Sequence, residues 1–229
     1  MSPTPSVPAG REGGARTPGT QMRCWQCGTA HAVSLFCPAC EAIQPLSPHA
    51  DYFAILGIDR RPRIDVDALQ RRYFELSRRL HPDRYQGGPA QARINSLGNT
   101  AALNRAYRVL RDPIERGLYW LNLQGEALGG NNNQIPSELA TLVFDTQGKL
   151  ETLRAAGDDG AALRREVQEI RADLIERRGD LLGQLERHFA RWEGPAVDAA
   201  VLTQELKTIL SAIKYLRTLI RDVDKELER

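Results

Sequence analysis

The sequence predicts an all-α protein: a helical hairpin followed by a C-terminal three-helix bundle, with a small N-terminal zinc-knuckle module ahead of both. Three observations predict it. From residue 51 onward apolar residues recur at spacings of three and four almost throughout, which marks one face of a helix. The C-terminal part shows no strand-like alternation of apolar and polar residues. All four cysteines lie between residues 24 and 40, and none occurs elsewhere.

Residues 1–20 carry Pro3, Pro5, Pro8 and Pro18 among several glycines without an apolar period, and are expected to be a disordered tail. They lack the continuous apolar run of a secretory signal. Arg11 and Arg16 are too few and too close to prolines for an amphipathic transit helix. Residues 21–47 read as a separate four-cysteine module. Cys24-Trp-Gln-Cys27-Gly and Cys37-Pro-Ala-Cys40 are two knuckles with nine residues between them. Such a pair can set four thiolates tetrahedrally about one ion, and Gly28 leaves room for backbone amides to turn toward sulfur. Zn2+ is the expected occupant. Iron in a rubredoxin-like site and thiols in redox use compete with it, but neither pair has the strand-then-helix context of a redox Cys-x-x-Cys. His31, between the knuckles, reads as a loop residue. A metal here staples a segment too small to have its own core.

Asp51 to Gly57 reads as a short helix stopped by glycine. From Asp65, the residues Val66, Leu69, Tyr73, Leu76 and Leu80 define an apolar face. At about 100° per residue, Arg71, Arg72, Glu75, Arg78 and Arg79 collect roughly opposite to it. One side of this helix is buried and the other is basic. A loop from His81 to Pro89 leads into a second helix over about Ala92 to Leu110, which Pro113 ends, and Ile114 to Leu123 forms a further short helix. Residues 50–123 are therefore one domain. Gly125, Gly129, Gly130 and Asn131 to Asn133 make a linker over 124–134.

Residues 135–229 hold three helical stripes. Leu139, Leu142, Val143, Leu150 and Leu153 form the first, interrupted only by Gly148, and Leu163, Val167, Ile170, Leu174, Leu181, Leu185 and Phe189 form the second, which Gly194-Pro195 ends. The third runs Leu202, Leu206, Ile209, Ile213, Leu216, Ile220, Val223 and Leu227, alternating four and three. Three antiparallel helices bury all three stripes.

Composition narrows the function. The chain of 229 residues has a formal net charge of +2, which argues against a general nucleic-acid binder. No stretch approaches the roughly 20 apolar residues of a membrane span. The total hides an asymmetry: residues 50–123 have 13 basic and 8 acidic residues, whereas 124–229 have 15 and 19. Two halves of opposite sign suggest two different partners. Neither a phosphate-cradling Gly-x-x-x-x-Gly-Lys loop nor a Ser/His/Asp set in nucleophile context is present, so the chain is expected not to be an enzyme.

His81-Pro82-Asp83 is the sharpest feature. Proline fixes the loop so that imidazole and carboxylate project from a helix end, and the adjacent arginines attract an acidic surface. The competing reading has His81 capping its helix and Asp83 satisfying backbone donors. Context decides between them. The tripeptide lies between the basic helix and a helix ending Asn104-Arg-Ala-Tyr107-Arg-Val-Leu110-Arg-Asp-Pro113, after Asp51-Tyr52-Phe53-Ala-Ile-Leu56-Gly57. Over residues 51 to 121 this resembles a J domain. The resemblance implies that His81, Pro82 and Asp83 trigger ATP hydrolysis in a DnaK-type chaperone, while Arg71, Arg72, Arg78 and Arg79 bind it.

The Gly/Phe-rich segment and cysteine-rich repeats of DnaJ-type proteins are missing. The order of zinc knuckles, a J domain closed by Arg116-Gly-Leu-Tyr119-Trp-Leu121, and an acidic bundle is instead similar to the HscB family of iron-sulfur cluster co-chaperones. It most resembles the variant with a four-cysteine extension, found in mitochondria and some bacteria. The resemblance implies a bundle that binds an IscU-type cluster scaffold and a J domain that engages a DnaK/HscA-type chaperone. Phe144 and Asp145 match the family's apolar-acidic pair, and Tyr215 its aromatic. Ala140 and Thr141 stand where the family usually has large apolar residues, and Gly148 stands where it has glutamate. Leu139, Leu142 and Tyr215 also read as core. A cytoplasmic location is expected, with the mitochondrial matrix as the alternative. The competing functions are a zinc-dependent nucleic-acid-binding or regulatory protein with a structural J-like hairpin, and a thiol oxidoreductase.

Overall fold

The computed structural model describes residues 21–47, 50–129, 139–156, 160–194 and 198–228. The expected tail over 1–20 and residues 130–134 of the expected linker lie outside the described residues, as does Pro195. Two short strands, β1 (Gln21–Arg23) and β2 (Ala30–Ala32), pair antiparallel with Met22 opposite His31. Helices follow: α1 (Tyr52–Leu56), α2 (Val66–Leu80), a 3-10 turn (Pro82–Tyr85), α3 (Ala90–Arg111), α4 (Pro113–Leu123), α5 (Ala140–Ala156), α6 (Ala161–Arg191) and α7 (Ala199–Leu227). The all-α expectation holds, with one small hairpin added in the four-cysteine module.

Local chemistry sets the boundaries. Asp51, Asp65, Asp112 and Asp198 each cap a helix N-terminus by accepting from backbone N–H groups of the first turn. Gly57 ends α1 at φ 65°, and its N–H reaches back to the Phe53 and Ala54 carbonyls. A side chain there would also crowd the Arg72 guanidinium, which lies 3.0 Å from where a Cβ would stand. Pro113 starts α4 at a position where a missing N–H costs nothing. Gly148 does not interrupt α5, which runs through it.

Two apolar cores organise the chain. The first joins Leu35 and Ile43 of the cysteine module, Phe53, Leu56, Leu69, Leu76, Leu80, Leu103 and Leu110 of the hairpin, and Leu185, Phe189, Leu206, Leu210 and Ile213 of the bundle. The second, further along the bundle, is built from Leu139, Leu150, Leu153, Val167, Leu174, Leu216, Leu219, Ile220 and Val223. Each such side chain contributes about 1.5–3 kcal/mol on burial. The α7 stripe is wider than expected: Leu210 and Leu219 are buried, whereas Ile209 and Leu227 are only half-buried.

The hairpin and the bundle are locked at the foot of α4. Arg116 is fully buried; its guanidinium donates to the Leu110 carbonyl at 2.8 Å and to Glu186 at 2.7 Å, and lies 4.9 Å from the Phe189 ring. Next to it Gly117 admits Leu210, whose methyls lie 3.2–3.3 Å from where a Cβ would stand. Trp120 meets Trp192 edge to face at 5.3 Å. Among the described residues no helix is long and apolar enough to cross a membrane.

Candidate functional site

The knuckles fold as near-copies of each other. Cys24 N–H donates to the Thr29 carbonyl and Gly28 N–H to that of Cys24; Cys37 N–H donates to the Ala42 carbonyl and Glu41 N–H to that of Cys37. Gly28 at φ 74° and Glu41 at φ 57° turn the two chains alike, so Glu41 holds a left-handed conformation that usually falls to glycine. The four sulfurs lie within 4.8 Å of one another, with Cys24 to Cys40 at 3.6 Å and Cys27 to Cys37 at 3.7 Å. Four sulfurs about 2.3 Å from one tetrahedral ion lie roughly 3.8 Å apart. A disulfide needs about 2.05 Å. The set fits a metal ion.

Electrostatics agree with that use. Burial raises the Cys24 thiol, but N–H groups of Cys27 and Gln26, each 3.4 Å from its sulfur, bring it down to about 6. Cys27 is lowered, chiefly by the Thr29 hydroxyl. Cys40 accepts a lowering hydrogen bond from Ala42, which burial and the three other sulfurs outweigh, pushing it up to about 12. Four thiols cannot all ionise in so small a space without a cation among them. His31 is not a loop residue; it is buried on β2, and its Nδ1 lies 2.7 Å from the Ala32 carbonyl, apart from the sulfur cluster.

The module is stitched to α3. Asn95 donates to the Ile43 carbonyl at 3.0 Å and Asn99 to that of Gln44 at 2.8 Å, both from buried side chains. Gln44 in turn donates to Cys24 Sγ at 3.3 Å.

The prong stands in solvent. The side chains of His81 and Asp83 are 57% and 72% exposed, with His81 Nδ1 3.6 Å from Asp83 Oδ2. His81 Nδ1 also accepts from Asp83 N–H at 3.3 Å, which caps the 3-10 turn instead of α2, and Asp83 accepts from the Gln86 side-chain amide at 3.1 Å instead of from a backbone donor. The loop is anchored from beneath. Ser96 and Thr100 of α3 both donate to the Leu80 carbonyl, at 2.6 and 3.2 Å, Tyr85 donates to that of Arg79, and Arg93 donates to those of Gln86 and Gly88. None of these anchors stood out in the sequence.

Arg71, Arg78 and Arg79 are exposed on α2. Arg72 is half-buried, because its Nε donates to the Leu56 carbonyl and its Nη1 to Glu75. At the far end, Phe144 is 81% exposed on α5 and Asp145 is exposed beside it. Tyr215 is half-buried on α7 and packs against the second core. Ala140, Thr141 and Gly148 are exposed on α5, while Leu139 is buried and Leu142 half-buried.

The DnaJ domain model matches residues 51–119. The mouse iron-sulfur cluster co-chaperone protein HscB is 35% identical over 133 residues, which cover 56% of this chain and 57% of the mouse protein. The chain thus spans about half the length of the curated relatives it matches. The crystal structure of human co-chaperone protein HscB superposes with a TM-score of 0.69 at 25% identity, covering 89% of this chain and 98% of that one. Chaperone HscB from Vibrio cholerae shares the fold, with a TM-score of 0.55 at 22% identity over 77% of this chain and 96% of the other. The human likeness covers more of the chain than residues 51–229 alone could supply, so it reaches past the J domain on both sides, and the chain is a DnaJ-domain protein similar in sequence and in fold to HscB co-chaperones.

Proposed function

We propose that the chain is a co-chaperone for iron-sulfur cluster assembly, one that stimulates the ATPase of a DnaK/HscA-type chaperone and delivers an IscU-type scaffold to it. The observation that carries this reading is the exposure of His81 and Asp83 at the end of a basic helix. His81, Pro82 and Asp83 form the triggering contact, and Arg71, Arg78 and Arg79, with the more committed Arg72, supply attraction to an acidic surface. The ATPase site is the chaperone's own; this chain performs no bond chemistry. Relatives named iron-sulfur cluster co-chaperones support the process, and the acidic bundle supports a second partner.

Phe144 and Asp145, with Tyr215 beside the core, form the scaffold contact. An aromatic side chain left exposed on α5 is the apolar centre that such a patch needs. Cys24, Cys27, Cys37 and Cys40 hold Zn2+, which closes the N-terminal module as a structural ion with all four positions filled. Two sites on one rigid chain raise the effective concentration of client at chaperone.

Purified chain added to a DnaK- or HscA-type chaperone accelerates ATP turnover, and the Asp83→Asn form leaves it at the unstimulated rate; equal acceleration by both defeats the chaperone reading. Phe144→Ala/Tyr215→Ala weakens capture of an IscU-type scaffold by at least about tenfold while leaving ATPase stimulation intact. Undiminished capture removes the patch from the account.

A further inference from the structure

Resting on the reading of α2 as the chaperone-docking face, we propose that the four-cysteine module is part of that face, with Phe36 as a positioning residue for Arg79. The carbon at the centre of the Arg79 guanidinium lies 4.0 Å from the centroid of the Phe36 ring. This joins a residue two positions before His81 to the loop that enters the second knuckle at Cys37.

The support beneath Phe36 is firm. Its backbone bridges that of Ile43. The Ile43 carbonyl accepts from Trp25 at 2.7 Å and from Asn95 of α3 at 3.0 Å, and Ile43 itself is buried in the core shared with the hairpin. The ring is therefore fixed relative to α3, and α3 also holds the Leu80 carbonyl through Ser96 and Thr100. Prong and ring share one frame.

The geometry suits recognition. Stacking engages the flat face of a guanidinium and leaves its rim of N–H donors free to fork onto a carboxylate. A free surface arginine has to be immobilised when it docks, whereas one already stacked loses less freedom. The neighbouring arginines are held differently: Arg78 Nε turns back to the Phe74 carbonyl, and Arg72 is taken up by Leu56 and Glu75. Arg79 is thus the arginine that the N-terminal module presents, and the partner surface it fits is an acidic patch beside the point where the prong makes contact.

The test titrates this chain into a DnaK-type chaperone and reads the concentration giving half-maximal ATPase stimulation. Phe36→Leu raises that concentration roughly three- to fivefold, in line with a cation–π contact and one freed side chain, and leaves the maximal rate and bound metal unchanged. In an Arg79→Ala background Phe36→Leu has no further effect, and with Arg79 present Phe36→Trp keeps the wild-type value. Phenylalanines of increasing fluorine content at position 36 keep the shape while draining the ring's negative face, so the half-maximal concentration climbs with fluorine number. That series decides the matter even if Phe36→Leu loses metal. A flat fluorine series, or additive effects of Phe36→Leu and Arg79→Ala, overturns the proposal while leaving Asp83-dependent stimulation in place. Stimulation that persists in Asp83→Asn overturns the underlying reading instead.

Discussion

Ser96 has no exposed surface, and its hydroxyl holds the last carbonyl before the prong. α2 stops abruptly at Leu80, and Pro82 supplies no N–H to the last turn, so the carbonyls there need other donors. Ser96 and Thr100, one turn apart on α3, give theirs to Leu80. Ser96→Ala with Thr100→Val keeps the shape and orphans a buried carbonyl, which costs about 1–3 kcal/mol. The denaturant midpoint falls accordingly, and amide exchange at Asp83 and Arg84 speeds up. Unchanged exchange there would show that the loop needs no anchor from α3. The contrast with His81-Pro82-Asp83 is instructive. The tripeptide is visible in the sequence because its chemistry is local, a proline between an imidazole and a carboxylate. Asn95, Ser96, Asn99 and Thr100 are polar residues on a helix, a pattern that reads as a solvated face. Asn95, Ser96 and Asn99 are buried and Thr100 is half-buried because carbonyls of other segments end there, and no spacing rule encodes a partner 16 or 55 residues away.

At the scale of elements, periodicity identified every long helix and misjudged how much of each is covered. A four-three stripe presumes one seam, but α7 packs on α4, α5 and α6, so the buried arc widens to take in Leu210 and Leu219. The α6–α7 pair also holds a titrating contact. His188 is buried; its Nε2 accepts from Trp192 Nε1 at 3.2 Å, and its Nδ1 lies 3.4 Å from Glu205, which also pairs with Arg191. Burial first holds this imidazole below its usual value; Glu205 works against that and Arg191 with it. Because the folded pKa is depressed, the unfolded chain takes up the proton first as pH falls. The contribution of neutral His188 is complete above the unfolded value of about 6.5 and is lost as pH drops from there toward the folded value. The thermal midpoint therefore declines on acidification through this window, and His188→Gln flattens the decline. An equally steep decline in that variant would place the sensitivity elsewhere.

For the molecule as a whole, what matters is that hairpin and bundle share a core instead of hanging on a linker. A Gly- and Asn-rich segment at 125–133 suggests a flexible joint, because composition reports only the covalent path. The actual joint is α4, whose Arg116 lies under Phe189 and bonds Glu186, with Lys207 paired to Glu126 and Arg61 and Arg63 to Glu193 around it. Burial lowers the Arg116 pKa and Glu186 offsets part of that, so the guanidinium is held by geometry and by its carboxylate together. Glu186 is half exposed, which screens the pair and leaves packing as the larger part of its worth. Arg116→Ala removes that packing and opens a void at the junction, at a cost of about 2–4 kcal/mol. Because the first core belongs to both parts, the expected calorimetric trace of the wild-type protein is one cooperative transition. In Arg116→Ala the hairpin melts ahead of the distal bundle, whose second core is untouched, and two transitions separate. If the variant melts in one step, the junction is not what couples the halves. If the transitions separate while Asp83-dependent stimulation survives and delivery of a bound scaffold slows, then the fixed angle between the two binding sites is the property that α4 maintains.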